Sequence, residues 1–222
     1  MNKVETYFSL CAKILVALCS LVGIWFNIFV PGDSHVYWNS LLYFTIQSNF
    51  WIAAVCIAGA VMMMKGTRPG RTWSVVKFVF TLSITLTGTV YCFILAPAST
   101  GNPFELRSSL VHVYAPILAV FDFFLCSRSL DLRLKDAAWG IIPPLYYLGF
   151  ASLGYVLNWQ FSSGCNYPYF FMNWGSPLGA FGFSSEFPFM GTFWYAAFLC
   201  LALLLTGTIF ITLSGLMKKS FK

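Results

Sequence analysis

Residues 43–64 read YFTIQSNFWIAAVCIAGAVMMM, and this stretch decides the fold class. The apolar run from Trp51 onward, with the residues before it, is long enough to cross a bilayer, because a span needs about 20 predominantly apolar residues. The start of the stretch instead carries Thr-Ile-Gln-Ser-Asn at positions 45–49. Polar side chains within a membrane cost free energy unless they have partners. The stretch therefore predicts a membrane helix with a polar site or polar contacts near one end.

The composition extends this interpretation to the whole chain. Of the 222 residues, 59% are hydrophobic and 9% are charged, which excludes a soluble fold of this size. Apolar windows predict six spans, at 9–30, 39–64, 74–97, 109–126, 138–158 and 192–216. The first window is longer than the apolar core of a signal peptide, so we expect a retained helix. The prediction is an all-α polytopic membrane protein in which residues 1–222 form one six-helix transmembrane domain.

The basic residues predict the orientation of these helices. Of the 13 Lys and Arg residues, all except Arg107 fall at the N-terminus, in the second or fourth connection, at the adjoining helix ends, or at the C-terminus. Basic residues near span ends stay on the cytoplasmic side. We therefore expect both termini to be cytoplasmic. The net charge of +6 indicates attraction to anionic membrane lipids, and nucleic-acid binding is not needed to explain it.

The longest connection, residues 159–191, is rich in Gly, Pro, Ser and aromatic residues. This composition is too aromatic for a flexible linker, and aromatic side chains settle at the headgroup level of a bilayer. An ordered cap or re-entrant segment over the outward mouth of the bundle and a plain interfacial loop both fit the pattern.

Polar residues of the second and fourth spans are predicted to lie at one depth. Thr45, Ser48 and Asn49 stand at i, i+3 and i+4, which places them on one helical face near the outward end. His112 lies about one turn inside the outward end of the fourth span. Pro116 cannot donate a hydrogen bond to the carbonyl of His112, so we expect a distortion of the helix there.

The fourth span also contains Asp122, ten residues beyond His112. At 1.5 Å per residue, this spacing puts Asp122 about 15 Å deeper, too far away to contact the histidine. We expect an ion pair with Lys77 or Arg128 instead.

A threonine and a histidine at one depth make a minimal pair for acyl transfer. A hydroxyl is a poor nucleophile until a base accepts its proton, and a neutral imidazole is suited to that role near pH 7. Asn49, Ser48 or Tyr114 could donate a hydrogen bond to a developing oxyanion or position the substrate. Hydrogen bonding between helices is the structural alternative for the same polar face.

The order of the motifs resembles a known family. FTIQSN at 44–49, HVYAP at 112–116 followed by Asp122, and NYPYFFMN at 166–173 are similar to the bacterial six-helix branch of the androgen-induced-gene membrane protein family. Animal members are intramembrane threonine hydrolases that cleave fatty acid esters of hydroxy fatty acids. By motif position, the resemblance implies Thr45 as the nucleophile and His112 as the base, with a lipid ester as substrate. It also implies a bacterial inner (plasma) membrane.

Two functions therefore remain open for the polar face. The first is hydrolysis of lipid esters by Thr45 and His112 without a metal or cofactor. The second is non-enzymatic binding or transport of a lipid or small molecule, with Asp122 as an ion or proton site. Haem ligation by His112 and His35 is disfavoured, because His35 lies in an outward connection.

Overall fold

The structure, a computed structural model, describes residues 3–67, 69–99, 101–126 and 129–220. Over these ranges the chain is helical, and its only β pairings are isolated bridges. Within the described residues, the main helices are α1 (Lys3–Ile28), α2 (Phe44–Met64), α3 (Arg71–Val90), α4 (Leu106–Leu125), α5 (Ile142–Val156) and α6 (Thr192–Ser220).

Among the described residues, five helices are long and apolar enough to cross a membrane. The chain is thus all-helical with the helices of a membrane protein. The span predicted over 138–158 is not among these five helices, because its α-helix, α5, is too short. The α-helix begins only at Ile142, because Pro143 and Pro144 fit the first turn of an α-helix and not its interior. A 3₁₀-helix, Leu134–Ile141, precedes it.

The start of the second helix also differs from the prediction. A 3₁₀ turn, Trp38–Leu42, is followed by Tyr43 in an extended conformation, and α2 begins at Phe44 and not at residue 39. Thr45 therefore lies in the first turn of α2. The backbone N–H groups of a first turn have no acceptor within the helix and form its electropositive end.

Two helices contain π-helical turns at the level of the predicted site. One covers Tyr91–Leu95 at the end of α3, and the other covers Leu110–Tyr114 within α4. The second begins two residues before His112 and ends two residues before Pro116, so the distortion predicted there is a π-helical turn. Such turns widen the helix locally and often occur at functional sites.

Helices α1 to α4 pack around one fully buried cluster that takes a side chain from each. Its members are Val16, Ile52, Cys56, Ile84 and Ala119. Helix α6 packs mainly against the 3₁₀-helix before α5. Phe78 of α3 and Phe123 of α4 share a second buried cluster with Tyr147 of α5 and Phe210 of α6, so both later helices pack against the four-helix group.

A charged cluster is buried inside the four-helix group. Asp122 accepts hydrogen bonds from Lys13, at 2.7 Å, and from Lys77. All three side chains are at most 5% exposed. Lys77 was one of the two partners predicted for Asp122, and Lys13 was not predicted. The alternative partner Arg128 lies outside the described residues.

Residues 159–191, here called the outer segment, pack onto the helices. Phe161 is fully buried, and its carbonyl accepts hydrogen bonds from Asn39, at 2.7 Å, and Tyr43, at 3.0 Å. The Trp174 indole donates to Ser152 of α5 at 3.1 Å. These contacts attach the outer segment to α5 and to the residues just before α2.

Candidate functional site

The structure brings Thr45 of α2 and His112 of α4 into direct contact. The distance from Thr45 Oγ1 to His112 Nε2 is 3.2 Å, within hydrogen-bonding range. Thr45 is buried and His112 is half-buried. The two residues that were placed at one depth by span counting therefore also face each other.

A backbone carbonyl orients the histidine ring. His112 Nδ1 lies 2.9 Å from the carbonyl oxygen of Ser108, one turn earlier in α4. A carbonyl oxygen only accepts hydrogen bonds, so Nδ1 carries the proton in this contact. Nε2 of a neutral ring then has a free lone pair, and the Thr45 hydroxyl donates to it. This is the tautomer in which an imidazole accepts a proton from a nucleophile.

Tyr91, the first residue of the π-helical turn after α3, supports the same ring. Its ring stacks on His112 with centroids 3.7 Å apart and an interplanar angle of 17°. The Ser108 hydroxyl donates to the Tyr91 hydroxyl at 2.7 Å. The His112 ring is thus held at its edge by a hydrogen bond to Ser108 and at its face by the Tyr91 ring. Ser108 lies next to one π-helical turn, and Tyr91 lies in the other. Neither Ser108 nor Tyr91 was predicted from the sequence, although a residue four positions before a helical histidine is a general candidate for such a contact.

Ser48 and Asn49 are placed next to Thr45, but their hydrogen bonds go to other groups. Asn49 Nδ2 donates to the carbonyl oxygens of Thr45, at 2.8 Å, and Val111, at 3.0 Å. The Ser48 hydroxyl lies 3.1 Å from the Thr45 carbonyl and 2.7 Å from the Thr87 hydroxyl. Asn49 therefore connects α2 to α4, and Ser48 connects α2 to α3. In this arrangement both act through the backbone of Thr45.

Tyr114, the third predicted oxyanion donor, is 49% exposed and lies on the outside of α4. It does not line the cavity that Thr45 faces. The structure therefore does not bring Tyr114 together with Thr45.

Thr45 lines an apolar cavity between the four-helix group and the pair α5 and α6. Its volume is about 70 Å³, below the roughly 300–1,000 Å³ of typical small-molecule sites, so the cavity is narrow. Leu86 and Val90 of α3 line one side, and Leu148 and Leu199 line the other. Such a lining suits an acyl chain better than a polar ligand.

Tyr169 of the outer segment lines the same cavity as Thr45. Burial raises the pKa of Tyr169 to about 12, and hydrogen bonding to the side chain and backbone of Thr45 opposes the increase. The phenol stays protonated at neutral pH and can donate a hydrogen bond. The sequence analysis missed this residue. The NYPYFFMN motif was the available signal, but a loop motif does not show which of its side chains turns inward.

Within the part of the chain that the structure describes, no three His, Cys, Asp or Glu side chains lie together as metal ligands do. No protein-family model matches the chain, and no curated protein or solved structure is significantly similar to it. Its function must therefore be argued from the site itself.

Proposed function

We propose that the chain is an intramembrane hydrolase of lipid esters, with Thr45 as the nucleophile and His112 as the general base. The observation that carries this proposal is the oriented contact between Thr45 Oγ1 and His112 Nε2 at the wall of an apolar cavity. A hydrogen bond that only joined two helices would have the same geometry, so the position of the pair at the cavity wall is what favours catalysis.

The reaction follows from this geometry. Thr45 Oγ attacks the ester carbonyl carbon while His112 Nε2 takes the hydroxyl proton, and a tetrahedral oxyanion forms. The imidazolium then returns the proton to the departing alkoxide, which leaves as an alcohol. Water, deprotonated by the same imidazole, attacks the acyl-threonine, the imidazolium returns its proton to the departing Thr45 Oγ, and a carboxylic acid is released. The acyl chain lies against the apolar walls of the cavity during both steps, and the cavity must widen to admit it.

Two groups are placed to stabilise the oxyanion. The first is the electropositive N-terminal turn of α2, in which Thr45 is the second residue. The second is the Tyr169 hydroxyl, a protonated donor next to Thr45. Preorganised donors in a site that excludes water typically contribute a factor of about 10² to 10³ in turnover. Asn49 and Ser48 contribute by holding the backbone of Thr45.

The wider setting of the proposal is a six-helix protein of the bacterial inner membrane with both termini in the cytoplasm, related to the androgen-induced-gene family. The short helix α5 supports a sixth span together with the 3₁₀-helix before it. At about 1.5 Å per α-helical and 2.0 Å per 3₁₀ residue, the two reach roughly 38 Å, more than the hydrocarbon thickness. Lipid esters then reach the cavity from the outer leaflet.

The test is hydrolysis of a panel of long-chain lipid esters by the purified protein in detergent. We expect Thr45→Ala and His112→Ala to abolish turnover. Thr206→Ala and His35→Ala are matched controls that should retain it, because Thr206 bonds within α6 and His35 is exposed. A fluorophosphonate probe should label the wild-type chain and not the Thr45→Ala variant. Equal hydrolysis by wild type and both site variants would refute the proposal.

The donor role of Tyr169 has its own test. Tyr169→Phe should lower kcat about a hundredfold and leave KM nearly unchanged, because the hydroxyl acts on the oxyanion and not on the acyl chain. Tyr146→Phe, which changes a half-exposed tyrosine of α5, is the matched control. An unchanged kcat in Tyr169→Phe would remove Tyr169 from the mechanism.

The same assays separate the hydrolase from the alternative of a lipid-binding or transport protein. The alternative predicts no turnover, together with flux in proteoliposomes that requires Asp122 and survives Thr45→Ala. The ion pairs of Asp122 with two lysines disfavour it as a site that exchanges ions or protons.

A further inference from the structure

A second cavity opens at the end of the bundle opposite Thr45, where α2 ends and α3 begins. Its volume is about 380 Å³. Gly66 and Thr67 lie at its mouth, and Lys13 and Lys77 of the charged cluster lie at its inner end. The proposed hydrolase reaction does not use this cavity.

The charged cluster carries an excess of positive charge. Lys13 and Lys77 share one carboxylate, that of Asp122, so the three groups that contact one another sum to +1. Glu5 lies eight residues before Lys13 in α1, about 12 Å away along the helix. An unbalanced charge in a low-dielectric interior is strongly unfavourable. The cluster would therefore be stabilised by an anion.

The hydrogen-bond donors of the two lysines are also in excess. Each ammonium group has three N–H donors. Lys13 donates to Ser9 Oγ at 2.8 Å and to Asp122 Oδ1, and its third contact is the Cys126 sulfur at 2.9 Å. Lys77 donates to Asp122 Oδ2 and lies 3.6 Å from the Cys56 sulfur. Thiol sulfur is a weak acceptor, so at least one donor of each lysine is available to a stronger one.

We propose that this cavity binds the phosphate group of an anionic ligand, with Lys13 and Lys77 as the residues that hold it. Lysine binds phosphate as a point charge, and the phosphate oxygens would replace the two sulfur contacts. The cavity opens at the end of the bundle that carries Lys65 and Arg71, the end expected to face the anionic inner leaflet. The phosphate of a phospholipid headgroup and free inorganic phosphate present the same chemistry, and the experiment distinguishes them.

The probes are phosphatidylglycerol and inorganic phosphate, each added to the purified protein in phosphatidylcholine nanodiscs. In the titration with inorganic phosphate, phosphate replaces chloride in the buffer so that the ionic strength stays constant. The readouts are Tm, followed by tryptophan fluorescence, and bound mass by native mass spectrometry. A saturable rise in Tm with one bound phosphatidylglycerol identifies the headgroup as the ligand. The same rise with inorganic phosphate alone identifies free phosphate. No saturable effect of either probe overturns the proposal.

The variants locate the site. Lys13→Met removes the excess charge and leaves the Lys77–Asp122 pair intact, and it should raise the half-saturating probe concentration at least about tenfold. Lys13→Arg should retain binding. The matched control is Lys65→Met, which removes an exposed lysine at the same end of the bundle and outside the cavity, and it should bind like wild type.

A further variant tests the cavity without changing a charge. Thr67→Trp fills the mouth at an exposed position and should also weaken binding, which matters if Lys13→Met fails to fold. Binding by Lys13→Met or by Thr67→Trp that equals wild type would show that the charge is balanced within the protein and would overturn the proposal. None of these readouts depends on ester hydrolysis, so the proposed function and this site can fail independently.

Discussion

Replacing Gly88 by alanine should push α3 away from α4 at the level of His112. A Cβ atom at Gly88 would lie 2.9 Å from Pro116 Cβ and 3.0 Å from the carbonyl oxygen of His112. A proline ring and a backbone carbonyl cannot move aside as the end of a flexible side chain can. The added methyl group must therefore separate the two helices or shift the π-helical turn that carries His112.

The magnitude follows from two opposing terms. Overpacking of this kind costs about 1–3 kcal/mol. Alanine gains up to about 1 kcal/mol over glycine in a helix interior. Gly149→Ala in α5 is the matched control, because a Cβ there meets nothing within 4 Å and the variant has only the second term. The propensity gain cancels between the two variants, so Gly88→Ala should be less stable than Gly149→Ala by about 1–3 kcal/mol.

The assay is unfolding in detergent, followed by tryptophan fluorescence, together with ester hydrolysis below the unfolding transition. Gly149→Ala should unfold at or above the wild-type midpoint, and Gly88→Ala should unfold clearly below the midpoint of Gly149→Ala. Hydrolysis by folded Gly88→Ala should also fall, because a displacement of about 1 Å at a catalytic group can cost a hundredfold. If Gly88→Ala proves as stable and as active as Gly149→Ala, the close packing of α3 on α4 at this level is wrong.

Two further substitutions test the contacts around the site. Asn49→Leu removes the donor to the Val111 carbonyl. The free energy of unfolding should therefore fall by about 1–3 kcal/mol, and turnover should fall with it. A variant as stable as wild type would show that this contact contributes nothing. Asp122→Asn leaves two buried ammonium groups without their carboxylate, and it should lower the free energy of unfolding by about 3–5 kcal/mol in the same assay. Asp131→Asn, at an exposed carboxylate, is the control and should lower it much less. Equal losses in the two variants would contradict the buried cluster.

Several features of the site could be predicted from the positions of residues along each helix alone. The depth of a residue in a span depends on the rise per residue, so counting placed Thr45 level with His112 and Asp122 well below them. The same counting made Lys77 one of two candidate partners of Asp122, and the structure contains this ion pair. Helical periodicity placed Ser48 and Asn49 beside Thr45. It did not indicate that their hydrogen bonds go to the backbone of Thr45 and Val111.

Other features depended on contacts between distant parts of the chain. Lys13 reaches Asp122 across 109 positions, and Tyr91 reaches His112 from a different helix. Tyr169 turns inward from a segment without regular periodicity. The start of α5 was predicted too early, although its prolines were visible in the sequence. An apolar window measures only hydrophobicity, and it does not register the backbone hydrogen bonds that a proline removes.

The sequence by itself determined that this is an all-helical membrane protein and that a threonine and a histidine lie at one depth, because hydrophobicity and rise are properties of each segment alone. Only the tertiary structure decided that Thr45 Oγ1 faces His112 Nε2, that the Ser108 carbonyl orients the ring, and that an apolar cavity opens beside them. These features depend on the rotation of each helix about its axis. Packing against the neighbouring helices sets that rotation.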